Sequence, residues 1–185
     1  MSSGGRLPFD PIAEARRQWI THGWEEAADG MAAVTSIMRV HQITLARVEA
    51  VLRPYGVTFA RYEVLMLLHF SSRGALPMTV IGARLQVHPT SVTNAVDRLE
   101  TAGLVQRRPH PTDRRTTLVV LLDPGRELAL RATGELNERV FGALGVPAGD
   151  LGPRVDVLAA LRRDEGDFEG VPGEPVAVQD CTTLP

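Results

Sequence analysis

The stretch from Met78 to Leu122 constrains the fold of this chain more than any other part of it. Its apolar residues change from helical spacing to strand-like runs. A short helix is predicted over about 79–85, a three-residue turn follows at 86–88, and a second helix begins at Pro89, because proline suits the first helical position. The stretch is therefore interpreted as a helix-turn-helix followed by a β-hairpin.

The second helix of this stretch has one apolar and one polar face. Val92, Ala95, Val96 and Leu99 recur at helical spacing and predict a buried stripe. The other face carries short polar side chains, which are Thr90, Thr93, Asn94, Asp97 and Thr101. Short side chains let a helix enter the major groove of DNA, where Asn can bind adenine and the Thr methyl can contact thymine. This pattern favours a DNA-recognition helix.

The hairpin carries a cluster of arginines at its tip. Apolar or β-branched runs at 104–108 and 116–122 flank a turn that is rich in proline, and Leu76-Pro77 is predicted to add a third short strand. Arg107, Arg108, Arg114 and Arg115 lie near the turn, and guanidinium groups suit phosphates and narrow minor grooves. From Arg84 to Arg115 six arginines face three acidic residues, a net of +3 in a chain whose formal net charge is −2. Positive charge is thus concentrated where a DNA groove reader needs it.

These residues resemble the winged helix-turn-helix of the MarR (multiple antibiotic resistance regulator) family. The resemblance is strongest in the second helix and in the wing, and it extends more loosely over about residues 30–162. The residues that carry it are Val92-Thr93, Asp97-Arg98-Leu99-Glu100, Ala102-Gly103-Leu104-Val105, Asp113-x-Arg115, Val119, Leu121 and Gly125. The resemblance implies that Arg115 enters the minor groove, that Asp113 braces it, and that the terminal helices form a dimer.

The predicted fold class is mainly α with a small antiparallel β-wing. A winged helix-turn-helix core is flanked by N- and C-terminal dimerisation helices. The expected segments are a disordered N-terminus (1–8), N-terminal dimerisation helices (9–57), the winged DNA-binding module (58–122), C-terminal dimerisation helices (123–163) and an acidic, disordered tail (164–185).

The two end regions carry surplus apolar faces. A helix over about 27–54 keeps helical spacing at Val34, Ile37, Met38, His41, Leu45, Val48 and Leu52. A last helix over about 148–163 is expected to bury Leu151, Val155, Leu158 and Leu161. Such faces at both ends of the chain predict a helical homodimer. A two-fold dimer would read an inverted repeat with half-sites about one helical turn apart.

Ten residues are predicted to contact double-stranded DNA. Thr90, Thr93 and Asn94 would meet base edges, while Ser91 and Arg98 would hold phosphates or the groove wall. Arg107, Arg108 and Arg114 would attract the backbone in a salt-dependent way. Arg115, braced by Asp113, would enter the flanking minor groove.

The predicted function is a sequence-specific transcriptional regulator, namely a ligand-responsive repressor that binds a palindromic operator as a homodimer. The resemblance implies relief of repression by a small aromatic or anionic effector. Candidate lining residues for that effector are Trp19, Met38, His41 and Tyr62, each of which also suits ordinary packing. The alternative is a protein-interaction adaptor or co-regulator that retains the winged-helix fold without operator binding.

The sequence lacks the patterns of several other protein classes. With 44% hydrophobic and 23% charged residues the composition is globular, and no apolar run is long enough to span a membrane. The first residues lack an apolar signal region, and the one cysteine, Cys181, fits a reducing compartment, so a cytoplasmic location is expected. No phosphate loop, zinc-ligand spacing or nucleophile–base pair is present, so neither an enzyme nor a cofactor or metal site is expected.

Overall fold

The computed structural model of the protein describes residues 7–113 and 115–170. The chain divides into two compact units, one up to Ala50 and one from Val51 onward. Most of the residues predicted to be disordered, 1–6 and 171–185, lie outside the described residues, as do Arg114 and Cys181. None of the described helices is long and apolar enough to cross a membrane.

The N-terminal unit contains helix α1 (Pro11–Thr21) and most of helix α2 (Glu25–Leu52). The side chain of Asp10 caps α1 by accepting the backbone N–H of Ile12 at 2.9 Å, and Pro11 occupies the first turn. Gly23 takes a positive φ of 84° between the two helices, a conformation that favours glycine. The Asp10 cap thus sets the start of α1, and the turn at Gly23 separates α1 from α2.

Helix α2 buries its apolar stripe only at its C-terminal end. Val48 and Leu52 are 3% and 0% exposed, whereas Val34, Ile37 and Met38 are 59%, 41% and 61% exposed. The stripe predicted from the sequence is present, but within one chain most of it faces outward.

The second unit contains the remaining elements. A one-turn 3₁₀ helix (Arg53–Tyr55) precedes α3 (Phe59–Phe70), β1 (Ala75–Pro77), α4 (Met78–Leu85) and α5 (Pro89–Thr101). After α5 come β2 (Val105–Pro109), β3 (Thr117–Leu121), α6 (Asp123–Arg139), two more one-turn 3₁₀ helices (Phe141–Ala143 and Ala148–Asp150) and α7 (Leu151–Asp164). The predicted helix-turn-helix is α4 and α5, and the predicted wing is β2 and β3.

The three strands form one antiparallel sheet in the order β1-β3-β2. Val119 of β3 lies opposite Leu76 of β1 on one side and opposite Arg107 of β2 on the other. The third strand predicted at Leu76-Pro77 is therefore confirmed. It joins the wing to the segment that enters α4.

The core of this unit lies between α3, α4, α5 and the sheet. Leu65, Ile81, Val96, Leu99 and Val119 are each at most 1% exposed. The apolar stripe predicted for the recognition helix accordingly packs inward. This packing leaves the opposite face of α5 on the surface.

Helix α6 begins in close contact with the wing. A Cβ atom at Gly125 would lie 2.2 Å from the carbonyl oxygen of Leu104 and 3.0 Å from Cδ1 of Leu121. Only glycine allows the two backbones to approach this closely. Gly125, which the sequence resemblance includes, thus has a packing role.

The prediction that α7 buries a full apolar stripe is wrong for the single chain. Val155, Leu158 and Leu161 are 58%, 46% and 49% exposed, and Ala159 is buried. Helical spacing indicates that a face is apolar, but it does not say whether that face packs within the same chain.

The residues directly after α7, which belong to the tail predicted from residue 164, make hydrogen bonds and a ring contact. The backbone N–H groups of Gly166 and Asp167 donate to the carbonyls of Arg163 and Arg162 at 3.0 Å each. The guanidinium of Arg162 lies 5.3 Å from the ring centroid of Phe168. The side-chain amide of Gln86 donates to the carbonyl of Asp167 at 2.7 Å.

Candidate nucleic-acid interface

The outer face of α5 carries the short polar side chains that the sequence predicted. Thr90, Ser91, Thr93, Asn94 and Arg98 are all exposed. The hydroxyl of Thr93 donates to the carbonyl of Pro89 at 3.0 Å, so this side chain is held against its own helix. With that hydroxyl engaged, Thr93 presents a methyl group as well as an oxygen, which suits contact with a thymine methyl.

The start of α5 depends on a residue that the sequence analysis did not assign to DNA binding. His88 occupies the N-cap position, and its Nδ1 accepts the backbone N–H of Thr90 at 3.3 Å. The usual capping residues are Ser, Thr, Asp and Asn, so the sequence pattern of a cap is absent here. The one sequence signal for this cap is that His88 directly precedes Pro89, which favours the first turn of a helix.

The wing tip is organised by the carboxylate of Asp113. Oδ1 accepts the backbone N–H of Arg115 at 2.9 Å, and Oδ2 accepts the hydroxyl of Thr116 at 2.6 Å. The hydrogen bonds from the Thr116 hydroxyl and then from the Arg115 backbone lower the pKa of Asp113 below its ordinary value of 3.8. Asp113 therefore braces Arg115 through the backbone, and the Arg115 side chain is left exposed.

Arg107 is held within the protein rather than displayed at the tip. Its Nη2 lies 2.6 Å from Oδ1 of Asp97, and its Nη1 lies 2.6 Å from Oε2 of Glu100. Its backbone N–H also donates to Oε1 of Glu100 at 2.7 Å. Only 25% of the Arg107 side chain is exposed. The guanidinium thus joins wing strand β2 to the recognition helix.

The contacts with Arg107 also affect the ionisation of Glu100 on α5. The backbone N–H of Arg107, and then its guanidinium, hold the pKa of Glu100 below its ordinary value of 4.5. Glu100 is consequently ionised at neutral pH and keeps its partner. Two of the three acidic residues in this region, Asp97 and Glu100, are paired with one arginine.

Other arginines of the module face outward. Arg98, Arg108 and Arg115 are exposed, and the Nε and Nη2 atoms of Arg108 donate to Oε1 of its neighbour Gln106 at 3.1 and 3.0 Å. Arg114, the remaining predicted contact of the wing, lies outside the described residues. The structure therefore brings the nine described residues among the ten predicted DNA contacts onto one module, with Arg107 in a bracing position.

The four predicted effector-lining residues have different surroundings. In the N-terminal unit, the ring of Trp19 packs edge-on against Trp24 at 5.3 Å, while Met38 and His41 are exposed. In the second unit, Tyr62 is 6% exposed and its hydroxyl lies 2.8 Å from Oγ1 of Thr133. Tyr62 is thus a core residue with a satisfied hydroxyl. Among the described residues no group of three or more His, Cys, Asp or Glu side chains has the arrangement of a metal site.

Comparison with known proteins places the chain in a family. The MarR family profile matches residues 55–116. The crystal structure of Sco5413, a MarR family transcriptional regulator from Streptomyces coelicolor, is 51% identical in sequence. It covers 77% of this chain and 99% of that protein, with a TM-score of 0.70. This chain belongs to the MarR family. The family consists of transcriptional regulators rather than enzymes.

More distant MarR structures share the fold of this MarR-family chain. Sco3205 from Streptomyces coelicolor, solved in complex with DNA, is 22% identical over 75% of this chain and 90% of that chain, with a TM-score of 0.65. CouR from Rhodococcus jostii RHA1, solved with p-coumaroyl-CoA, is 27% identical over 68% and 87% of the respective chains, with a TM-score of 0.60. The chain also matches an uncharacterised helix-turn-helix regulator of Bacillus subtilis at 30% identity, over 58% of its own length and 65% of that relative.

Proposed function

We propose that this MarR-family chain is a sequence-specific DNA-binding repressor that binds a palindromic operator as a homodimer. The observation that carries the proposal is the exposed face of α5, where Thr90, Thr93 and Asn94 stand beside a wing joined to the same helix by Arg107. Short side chains on a helix of this kind fit the major groove and can reach base edges.

The wing is proposed to read the flanking minor groove through Arg115. A guanidinium in a narrow minor groove is favoured by the enhanced negative potential there. Asp113 supports this role because its carboxylate holds the backbone N–H of Arg115 at 2.9 Å. Ser91, Arg98, Arg108 and Arg114 are assigned to phosphates or to the groove wall. Arg107 is assigned instead to positioning, because Asp97 and Glu100 already engage its guanidinium.

The homodimer is proposed from the outward apolar faces of α2 and α7. Val34, Ile37 and Met38 on α2, and Val155, Val157 and Leu158 on α7, are each at least 41% exposed. Contiguous exposed apolar residues are typical of surfaces that bind another protein. A second copy of the chain is the partner that also supplies the second half-site of an inverted repeat.

A small aromatic or anionic effector is proposed to relieve repression. The effector must bind the DNA-free conformation of the protein more tightly than the DNA-bound conformation. Equal affinity for the two conformations would leave the equilibrium between them unchanged. The p-coumaroyl-CoA complex of CouR supports an effector of this kind. Trp19, Met38 and His41 remain candidates, while the burial of Tyr62 and its bond to Thr133 favour a packing role.

The direct test is to select the genomic fragments that the purified protein retains and to measure their affinity in gel shifts. Arg115→Ala is expected to weaken operator binding about tenfold or more, as expected for a groove-reading arginine. The matched control is Arg131→Ala, which removes the same charge from an exposed position on α6 and should leave the affinity unchanged. Arg108→Ala should shallow the slope of log K against log[salt] by about 0.9, because its guanidinium is assigned to one phosphate.

Two results would contradict the proposal. If the protein selects no fragment above background while remaining folded, the alternative of an adaptor that retains the fold becomes the better account. If Arg115→Ala and Arg131→Ala have the same affinity, the wing does not read DNA. Titration of candidate metabolites into the protein–DNA complex tests the effector separately, and failure of all of them to release DNA would remove that part of the proposal.

A further inference from the structure

Two histidines occupy chemically similar positions in the two elements proposed to read DNA. The Nδ1 atom of His88 accepts the backbone N–H of Thr90 at 3.3 Å and lies 3.1 Å from the Thr90 hydroxyl. The Nδ1 atom of His110 accepts the backbone N–H groups of Thr112 and Asp113 at 3.4 and 3.2 Å. One imidazole therefore closes the first turn of α5, and the other closes the turn at the wing tip.

The donors in these bonds define the role of both rings. A backbone N–H can only donate, so each Nδ1 acts as the acceptor. Both histidines therefore serve as hydrogen-bond acceptors for the backbone without carrying a negative charge.

An acceptor without negative charge has a specific advantage at a surface that approaches DNA. The first turn of a helix leaves backbone N–H groups without partners, and Asp is among the side chains that most often satisfy them. At a surface that approaches phosphates, the carboxylate of Asp would repel the DNA backbone. Imidazole satisfies the same N–H without adding negative charge.

The contacts of each histidine lead to a residue of the proposed reading surface. The carbonyl of His88 also accepts the N–H groups of Ser91 and Val92 at 2.8 and 3.3 Å, so His88 satisfies three donors in the first turn of α5. Thr90 and Ser91, whose side chains are assigned to DNA, take their backbone geometry from this turn.

At the wing, the contacts run through Asp113. The N–H of His110 donates to the carbonyl of Thr116 at 3.1 Å, while its ring accepts the N–H of Asp113. The Asp113 carboxylate in turn accepts the N–H of Arg115. His110 therefore holds the backbone of Asp113, and Asp113 in turn holds the backbone of Arg115.

We propose that His88 and His110 are positioning residues for DNA reading, whose imidazoles hold the first turn of α5 and the wing tip through backbone hydrogen bonds. This inference rests on the proposed function, because operator binding is one of its readouts. The other readout is amide hydrogen exchange in the free protein, which does not depend on DNA.

The test uses four variants of the full chain, which are His88→Ala, His88→Asn, His110→Ala and His110→Asn, with His22→Ala as the control. His22 lies at the C-terminal end of α1, where its Nδ1 is 2.8 Å from the carbonyl of Gln18. Amide exchange is measured by NMR. Operator affinity is measured by fluorescence anisotropy with a genomic fragment that the wild-type protein retains, at one fixed salt concentration.

Removal of the acceptor should change both readouts. His88→Ala should accelerate exchange at Thr90, and His110→Ala should accelerate it at Thr112 and Asp113, by roughly three- to tenfold, which corresponds to removal of a helix cap. Operator affinity should fall by a similar factor. Asn retains a neutral acceptor, so both Asn variants should return both readouts to within about twofold of wild type.

Several outcomes would overturn the inference. Weaker operator binding by an Ala variant with unchanged exchange would mean that the histidine contacts DNA rather than positioning the backbone. Faster exchange with unchanged affinity would make the bond irrelevant to DNA reading, and failure of Asn to rescue would exclude the acceptor role. If the wild-type protein itself selects no fragment, the proposed function fails. Wild-type binding with unchanged variants defeats only this inference.

Discussion

Helices α5 and α2 have the same kind of sequence pattern and different structural outcomes. Both carry apolar residues at helical spacing, yet Val92, Val96 and Leu99 of α5 are at most 2% exposed, whereas Val34, Ile37 and Met38 of α2 are at least 41% exposed. The winged helix-turn-helix buries its apolar residues within one chain, whereas the middle of α2 leaves its apolar residues exposed. Periodicity therefore identifies an apolar face, and the tertiary structure shows whether that face has a partner in the same chain.

The largest effect should come from a charge on the apolar face of α2. Ile37→Glu is expected to abolish the proposed homodimer at micromolar concentration, because a carboxylate would be buried without a partner. Operator affinity should fall roughly hundredfold or more, because a monomer reads only one half-site. Mass by light scattering and affinity by gel shift are the measurements.

Gln42→Glu is the control for the dimer, since it adds the same charge to α2 at an exposed residue outside the apolar stripe. A dimeric Ile37→Glu protein with normal DNA binding would break the contrast between α2 and α5. The exposed face would then need another explanation.

The next effect tests the close packing between the start of α6 and the wing. Gly125→Ala is expected to destabilise the protein by about 3 kcal/mol, because the added Cβ would meet the Leu104 carbonyl at 2.2 Å. Gly134→Ala in the same helix meets nothing within 4 Å and should stabilise the protein by about 0.5–1 kcal/mol. Urea denaturation gives the free energy of unfolding of both variants. Equal values would show that the backbone at the α6–wing contact can shift to accept a Cβ atom at little cost.

A smaller effect is expected at the link between the wing and the recognition helix. Glu100→Gln removes one charge partner of Arg107 while keeping its size and leaving Asp97 in place. Operator affinity should fall about threefold as the wing loosens, while affinity for random DNA should rise because the module gains one net positive charge. Glu138→Gln, an exposed position on α6, is the control. A parallel rise in both affinities would mean that the link does not position the wing.

The smallest effect concerns the pH dependence of the wing tip. The pKa of Asp113 is lower in the folded protein than its ordinary value of 3.8, so its stabilising contribution is present above that value. The contribution disappears as the pH falls through the folded pKa, and between pH 5 and 8 it should be constant. A carboxyl-carbon NMR titration of Asp113 checks this, and a midpoint above 3.8 would contradict the bracing role of this carboxylate.

The sequence was most informative where a structure forms from neighbouring residues. Proline at the start of α5, the apolar stripe behind it and the proline-rich turn predicted the helix-turn-helix and the wing, because each depends on interactions a few residues apart. Arg107 could not be separated from Arg108 by sequence, since both belong to one basic cluster. Their difference arises when the fold brings Asp97 and Glu100 against β2.

The sequence by itself determined the class of fold, the recognition helix and the wing, since periodicity and turn chemistry are local properties of the chain. Only the tertiary structure decided that Arg107 is a brace, that His88 and His110 are backbone acceptors, and that the apolar stripes of α2 and α7 remain exposed. Those outcomes depend on which elements meet and on which donor lies opposite which acceptor, and the spacing of residues along the chain does not specify either.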